Sequence, residues 1–320
     1  MVYKEPIFLE PVFQERIWGG KKLQTLYDYE IPNDQIGEAW VISAHKNGPS
    51  KIINGPLAGQ SLLKTWEEYP VLFGKKNAEG DFPLLVKVLD ANDNLSVQVH
   101  PDDVYAREVE DEQYGKTECW YILDCEEDSE IIYGHSAQTA EEFQQKVDTG
   151  QWDELLERVK VKKGDFFYVP SGTIHAIGKG IVILEIQQSS DITYRVYDYD
   201  RKDDTGNPRD LHIESAIEVT NFPHTHEQYE KIEERIEGLA STKLIQEEYF
   251  TVYHWELNGE VSTPLVPDYL LVSVIHGEGE IIVNDQVYPI KKGDHFIIPA
   301  TIEEYKITGK MELVVAHESL

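Results

Sequence analysis

Apolar residues in this chain alternate with polar ones far more often than they recur at helical spacing. Leu95, Val97 and Val99 alternate with Ser96, Gln98 and His100, so a strand over Leu95–His100 would put the polar three on one face. Pro83–Leu89, Gly37–Ser43, Glu118–Asp124, Glu130–Tyr133, Phe166–Val169 and Ile181–Gln187 read as further strands. Turn clusters such as Asp90-Ala-Asn-Asp-Asn94 and Pro170-Ser-Gly172 punctuate them. Phe250–Leu257 and Tyr269–His317 predict a run of short strands, with turns at Gly277-Glu-Gly279, Asn284-Asp285, Lys292-Gly293 and Gly309. The expected fold class is mainly β, of sandwich or jelly-roll type.

Helical spacing is confined to a few segments. Leu62, Leu63, Trp66, Tyr69 and Leu72 carry it, with Pro70 limiting the helix near its end. Asp102–Tyr114 predicts a short acidic helix, and Leu211–Val219 another. Thr139 with Glu142 makes a capping box that opens a helical insert, placed at about 138–158, with Phe143, Val147, Leu155, Leu156 and Val159 at helical spacings and Gly150 as an interruption. Asp198–Asp210 is polar and turn-rich, and Pro223–Gly238 reads as a charged connection with room for a short helix.

One pattern occurs twice. Lys162-Lys-Gly-Asp-Phe-Phe-Tyr-Val-Pro170 returns as Lys291-Lys-Gly-Asp-His-Phe-Ile-Ile-Pro299, and Cys119–Tyr133 resembles Val272–Val283. Two related β units follow, the first interrupted by the insert. The expected domains are 1–235, carrying the candidate site, and 236–320, in which Leu270-Leu271 stands where the first copy has Glu118.

The charge changes the picture of partners. Across 320 residues, 59 acids oppose 29 Lys plus Arg, a formal net charge of −30, which argues against nucleic acid or an anionic membrane surface. An anionic substrate would need the few cations gathered in one place. The N-terminus lacks an apolar signal core, and no run of about 18 apolar residues could span a bilayer. Cys119 and Cys125 read as reduced core thiols, so a cytoplasmic protein is expected.

The candidate chemistry is a metal pocket. An amide oxygen from Gln98, imidazoles from His100 and His175 and the carboxylate of Glu118 are suitable donors for a divalent metal such as zinc. Gln98 could instead contact substrate. Arg195 lies between Asp191 and Asp198, where a surface salt bridge is the competing reading; the run from Asp102 to Glu112 reads as a solvated face. His224 and His226 have ligand spacing but fall in the polar connection and are expected in solvent.

Gly164, Pro170, Gly172 and His175 resemble the second signature of the cupins, small β-barrels that hold a metal in the mouth; Lys179 replaces the usual Asn. The first signature is altered, with Gln98-Val-His100 for His-x-His and its Glu further on at Glu118. Those departures, with Trp18-Gly-Gly20, Gly37-Glu-Ala-Trp40, Gly115-Lys-Thr-Glu118 and Asp191-Ile-Thr-Tyr-Arg195-Val-Tyr-Asp198, resemble the type I mannose-6-phosphate isomerases in their short bacterial form, over the whole chain. The resemblance implies two cupin-type jelly-roll β-barrels and one zinc ion held by Gln98, His100, Glu118 and His175. It implies an active-site role for Arg195, and positions lining the substrate pocket for Ser96 and Lys116. The implied reaction interconverts two phosphorylated hexoses through a cis-enediol. Lys116, Glu185 and Asp191 are all candidates for the base, and Glu185 is equally a candidate for a supporting or substrate contact. A metal-dependent cupin dioxygenase and a sugar-phosphate-sensing cupin are the alternatives. The expected partner is a small phosphorylated hexose, and the expected state a monomer or weak homo-oligomer.

Overall fold

The computed structural model describes residues 3–202, 206–226, 229–263 and 269–319. Three antiparallel sheets organise the described residues. The first has six strands in the order Phe166–Val169, Glu118–Asp124, Ile181–Gln188, Leu84–Ala91, Ile36–Ile42 and Val12–Gly20. The second has five: Tyr194–Tyr197, Val97–Val99, His175–Ile177, Glu130–His135 and Leu156–Lys160. The inner strands of the first sheet are buried on both faces, which is why Leu84–Ala91 and Ile181–Gln188 are nearly continuous apolar runs. The third, nine-stranded sheet forms the C-terminal unit, from Ile232–Ile236 to Tyr305–Glu318, and also takes in Ile7–Glu10 and Lys51–Ile52. Phe8 pairs with Phe296, so the start of the chain is woven into the sheet of its end. Among the described residues no helix is long and apolar enough to cross a membrane.

The repeated Lys-Lys-Gly-Asp builds the same turn twice. Asp165 accepts from the Lys162 amide at 2.9 Å and Asp294 from the Lys291 amide at 2.7 Å, with Gly164 and Gly293 at φ 88° and 92°. The strands that follow pair alike: Val169 faces Glu118, and Ile298 faces Leu270.

Several expectations need correction. The insert is two helices, Ala140–Asp148 and Trp152–Leu155, and Leu156–Lys160 is a strand that puts Val159 against Ile131. The charged connection carries a strand, Ile232–Ile236, that hairpins onto Leu239–Gln246. Gly277–Gly279 and Gly309 are not turns. They lie inside two fourteen-residue strands, Leu270–Val283 and Tyr305–Glu318. Gly309 pairs with Gly259 on one side and Gly279 on the other, a glycine row across three strands. Glycine bends long strands where a side chain would collide. A Cβ on Gly309 would lie 2.6 Å from both Glu278 O and Gly279 Cα, at a φ of 138°. Gly309→Ala is therefore expected to destabilise the fold by about 3 kcal/mol, seen as a lower urea midpoint; an unchanged midpoint would mean the bend does not need glycine.

Other side chains also sit differently. Asp102 caps the Asp103–Val109 helix, and Asp103 accepts from Gly115 N and Gln188 Nε2, both at 2.8 Å, so part of the acidic run is structural. His226 is exposed and pairs with Glu157 at 2.7 Å. His224 instead is half-buried, lodged over side-chain-free Gly134. Cys119 is buried, Cys125 half-buried, and both are free thiols.

Candidate metal and substrate site

Strand register lines up the site. Across the six-stranded sheet Trp40, Lys87, Glu185 and Trp120 are successive cross-strand partners. Cross-strand partners share a face, so two carriers of opposite charge and two indoles stand in one row. In the five-stranded sheet Arg195, Gln98 and His175 are partners in the same way. The two rows line a cavity of about 440 Å³.

His100 follows the Val97–Val99 strand, and Glu118 opens its own strand two positions before Trp120. The two histidines and Glu118 place one ligand atom each within 4.8 Å of one another, all buried. Both His100 Nε2 and His175 Nε2 lie 3.4 Å from a Glu118 oxygen. The outer ring nitrogens fix the tautomer. His100 Nδ1 is 2.7 Å from Ile192 O and His175 Nδ1 is 2.9 Å from Thr173 O. A carbonyl only accepts, so each Nδ1 carries the proton and each Nε2 turns a lone pair inward, the arrangement a metal-binding histidine needs. Burial, reinforced by the Lys116 charge, lowers His100 to about 3, and burial lowers His175 as well. Both rings are thus neutral. Burial pushes Glu118 up, but the Lys116 ammonium leads the effects that overrule it, and the carboxylate is held well below its usual range. Neutral imidazoles and an ionised carboxylate around one point fit a divalent cation. Gln98 Nε2 stands 3.3 Å from His175 Nε2, and turning its amide over would present the oxygen instead.

Lys116 is buried, not solvated. Its ammonium is 2.9 Å from Glu118 Oε2 and 3.1 Å from His100 Nε2. Gly115 makes this approach possible, because a Cβ there would lie 2.4 Å from the Asp102 carbonyl carbon. The Trp120 indole donates to Glu118 at 3.0 Å and to Glu185 at 3.2 Å, tying the two carboxylates together. Burial and then the Glu118 charge raise the Glu185 carboxyl, against the pull of Lys87 at 3.4 Å.

At the mouth Arg195 donates to Ser96 Oγ at 3.3 Å and to Asp210 O at 2.9 Å, not to the acids that flank it in sequence. Asp198 is engaged by Arg209 at 2.8 Å and by Arg201. Asp191 lies at the rim, half-exposed and held by Asn47 at 2.8 Å.

The structure thus brings Ser96, Gln98, His100, Lys116, Glu118, His175, Glu185 and Arg195 together. It also adds residues that sequence reasoning missed: Arg16, Glu38, Lys87 and Arg209 line the same cavity. Against the opposing effect of burial, Lys87 and then Arg16 hold the buried Glu38 at about 2, with help from the Trp40 indole. A lone lysine amid Leu-Leu-Val and Val-Leu was the available signal for Lys87, since a charge in a doubly buried strand needs a purpose. The lining gathers five cations (Arg16, Lys87, Lys116, Arg195, Arg209) against four acids (Glu38, Glu118, Glu185, Asp191). In a chain of net charge −30 that is a local inversion.

Comparison with known proteins agrees along the whole chain. A family model described as phosphomannose isomerase type I, catalytic domain, matches residues 7–119, and one described as mannose-6-phosphate isomerase, cupin domain, matches residues 240–318. The mannose-6-phosphate isomerase ManA of Bacillus subtilis is 53% identical, over 98% of this chain and 99% of its own length. A mannose-6-phosphate isomerase of Streptococcus mutans is 49% identical with the same coverage. The crystal structure of a Bacillus subtilis mannose 6-phosphate isomerase superposes with a TM-score of 0.94 at 48% identity, covering 98% of this chain and 100% of that one. A putative mannosephosphate isomerase from Archaeoglobus fulgidus, 20% identical, shares the fold with a TM-score of 0.77, covering 98% and 99% of the two chains.

Proposed function

Since this chain belongs to the type I phosphomannose isomerase family, we propose that its charged cavity interconverts mannose 6-phosphate and fructose 6-phosphate with a zinc ion held by Gln98, His100, Glu118 and His175. The observation that carries the reading is the pair of facing rows, Trp40-Lys87-Glu185-Trp120 against Arg195-Gln98-His175, closed at one end by Glu118 and His100.

The reaction moves a proton from C2 to C1 of the open-chain sugar through a cis-enediol, while the hydroxyl proton passes from O2 to O1. Zinc in that cage supplies a Lewis acid that favours negative charge on the sugar oxygens. The chain's own groups do the rest. Glu185 is the base: its carboxyl is raised by burial, faces the cavity, and is kept in place by Trp120 and Lys87. It takes the proton at C2 and returns it at C1. Lys87 and Lys116 flank the charge that develops on O1 and O2. Their buried carboxylate partners keep Lys116 charged although burial works against it. Arg195, Arg209 and Ser96 at the mouth hold the phosphate, so that binding energy far from the reacting carbons sets their position. Trp18, Leu89, Leu95 and Ile177 supply the apolar wall that keeps water from the enediol.

A coupled assay for fructose 6-phosphate, run with chelator and then with zinc added back, tests this. Turnover is expected to fall at least about a hundredfold on metal removal, to return with zinc, and to be indifferent to dioxygen. Full turnover by metal-free protein, or a requirement for dioxygen, would overturn the assignment.

A further inference from the structure

The nine-stranded sheet ends on a bare edge. Ile232–Ile236 pairs on one side with Leu239–Gln246; among the described residues no other strand pairs with it, and all five of its residues are exposed. Its polarity has a consistent direction. Ile236 pairs with Leu239 and through it with Leu257, and Glu234 reaches Trp255 through Ser241. Leu239, Trp255 and Leu257 all belong to the core of the C-terminal unit. Ile232, Glu234 and Ile236 therefore extend the inner face of that sheet to its rim, where each isoleucine is left 43% exposed. A bare edge that continues a core row invites another strand.

The charges along the strand identify which one. The two-residue Glu237-Gly238 connection closes on the Ile236–Leu239 pair. The even-numbered residues therefore exchange backbone hydrogen bonds inward, and the amides and carbonyls of Glu233 and Arg235 face outward. An antiparallel copy of the same strand must pair odd positions with odd. Three registers meet that condition within the strand. Centring on Glu233 sets Glu233 against itself and Ile232 against Glu234, and centring on Arg235 sets Arg235 against itself and Glu234 against Ile236; both oppose like charges at the axis and set an isoleucine against a carboxylate. Centring on Glu234 gives Glu233–Arg235 twice and Ile232–Ile236 twice, with one like pair, Glu234 against itself, at the axis. The isoleucines then fall in the closer, non-hydrogen-bonded positions, where side-chain contact is greatest.

We propose that Ile232–Ile236 is the pairing edge of a symmetric dimer of this chain, joined antiparallel about Glu234 into one continuous sheet. The partner is a second copy, because the strand is complementary to itself in charge and in apolar position. The Glu234 pair at the axis makes the dimer weak, and high salt weakens it further by screening the two Glu233–Arg235 ion pairs. The edge contributes nothing to the cavity lining, so association leaves the chemistry untouched.

Sedimentation of the full-length protein over a wide concentration range tests the proposal. A monomer–dimer equilibrium is expected at low salt. Arg235→Glu should raise the dissociation constant at least about tenfold, and adding Glu233→Arg should restore it within a few-fold, because the swap recreates both pairs. Glu234→Gln should tighten the dimer, a gain that damage to the fold would not produce. Isomerase turnover of all three variants should match the parent. Protein that stays monomeric at every concentration, a dimer indifferent to Arg235→Glu, or a swap that fails to restore association overturns the proposal.

Discussion

Glu118→Gln is expected to empty the metal site and to lower kcat/KM by at least about a thousandfold. The substitution keeps the shape of the side chain and removes its charge. Glu118 is the carboxylate on which both imidazole Nε2 atoms and the Lys116 ammonium converge, at 3.4, 3.4 and 2.9 Å. The remaining donors, two neutral imidazoles and an amide, carry no negative charge to offset a divalent cation, and affinity falls accordingly. Stability should fall as well. Glu118 is 1% exposed and Lys116 is 5% exposed, so neither solvent nor another route compensates the ammonium for its lost partner. Breaking a buried pair by removing one member costs about 3–5 kcal/mol. Metal content by mass spectrometry and the urea midpoint, measured on the same preparation, separate the two effects. A variant that still holds one zinc per chain and turns over normally would remove Glu118 from the site.

The residues proposed as metal donors were legible because each sits in its own local pattern: alternation for Gln98 and His100, a carboxylate opening an apolar strand for Glu118, a glycine turn before His175. The other half of the cavity was not. Lys87 meets Glu185 and Trp40 only through strand pairing, and Arg16 meets Glu38 at 2.8 Å across twenty-two residues of sequence. Such contacts depend on register, which no single segment encodes. For Arg195, read as an active-site residue, the competing reading was the local one. Its neighbours Asp191 and Asp198 suggested a salt bridge, but in the Tyr194–Tyr197 strand its side chain is carried to Ser96, and Asp198 is taken by Arg201 and Arg209. Glycine misled for a simpler reason. Gly277 and Gly309 have positive φ, as turn glycines do, yet here they lie inside strands that continue beyond them. The strand at Ile232–Ile236 was hidden because its residues are all exposed, and without a buried face there is no apolar alternation to see.

Arg195→Ala separates substrate handling from metal binding. The residue stands in the same strand register as Gln98 but contacts no imidazole or carboxylate of the metal cluster; its guanidinium goes to Ser96 and to the Asp210 carbonyl. Bound zinc should therefore stay at the parental level, in contrast to Glu118→Gln. Burial, then the neighbouring charge of Arg209, lowers its pKa, the cost of setting two guanidinium groups side by side at one mouth. A dianion arriving between them would relieve that repulsion, which suits the pair to the phosphate of the proposed substrate. Without Arg195, Arg209 must serve alone while already engaged by Asp198, and the sugar loses its register on Glu185 and the cluster. A loss of about a hundredfold to a thousandfold in kcat/KM is expected for mannose 6-phosphate, since binding energy from the remote group is what positions the reacting carbons. Arg195→Lys should recover only part of it, because a point charge does not replace a planar fork. Steady-state kinetics on protein of measured zinc content provide the check. Parental turnover in Arg195→Ala, or a parallel loss of zinc, would show that the arginine does not hold the substrate.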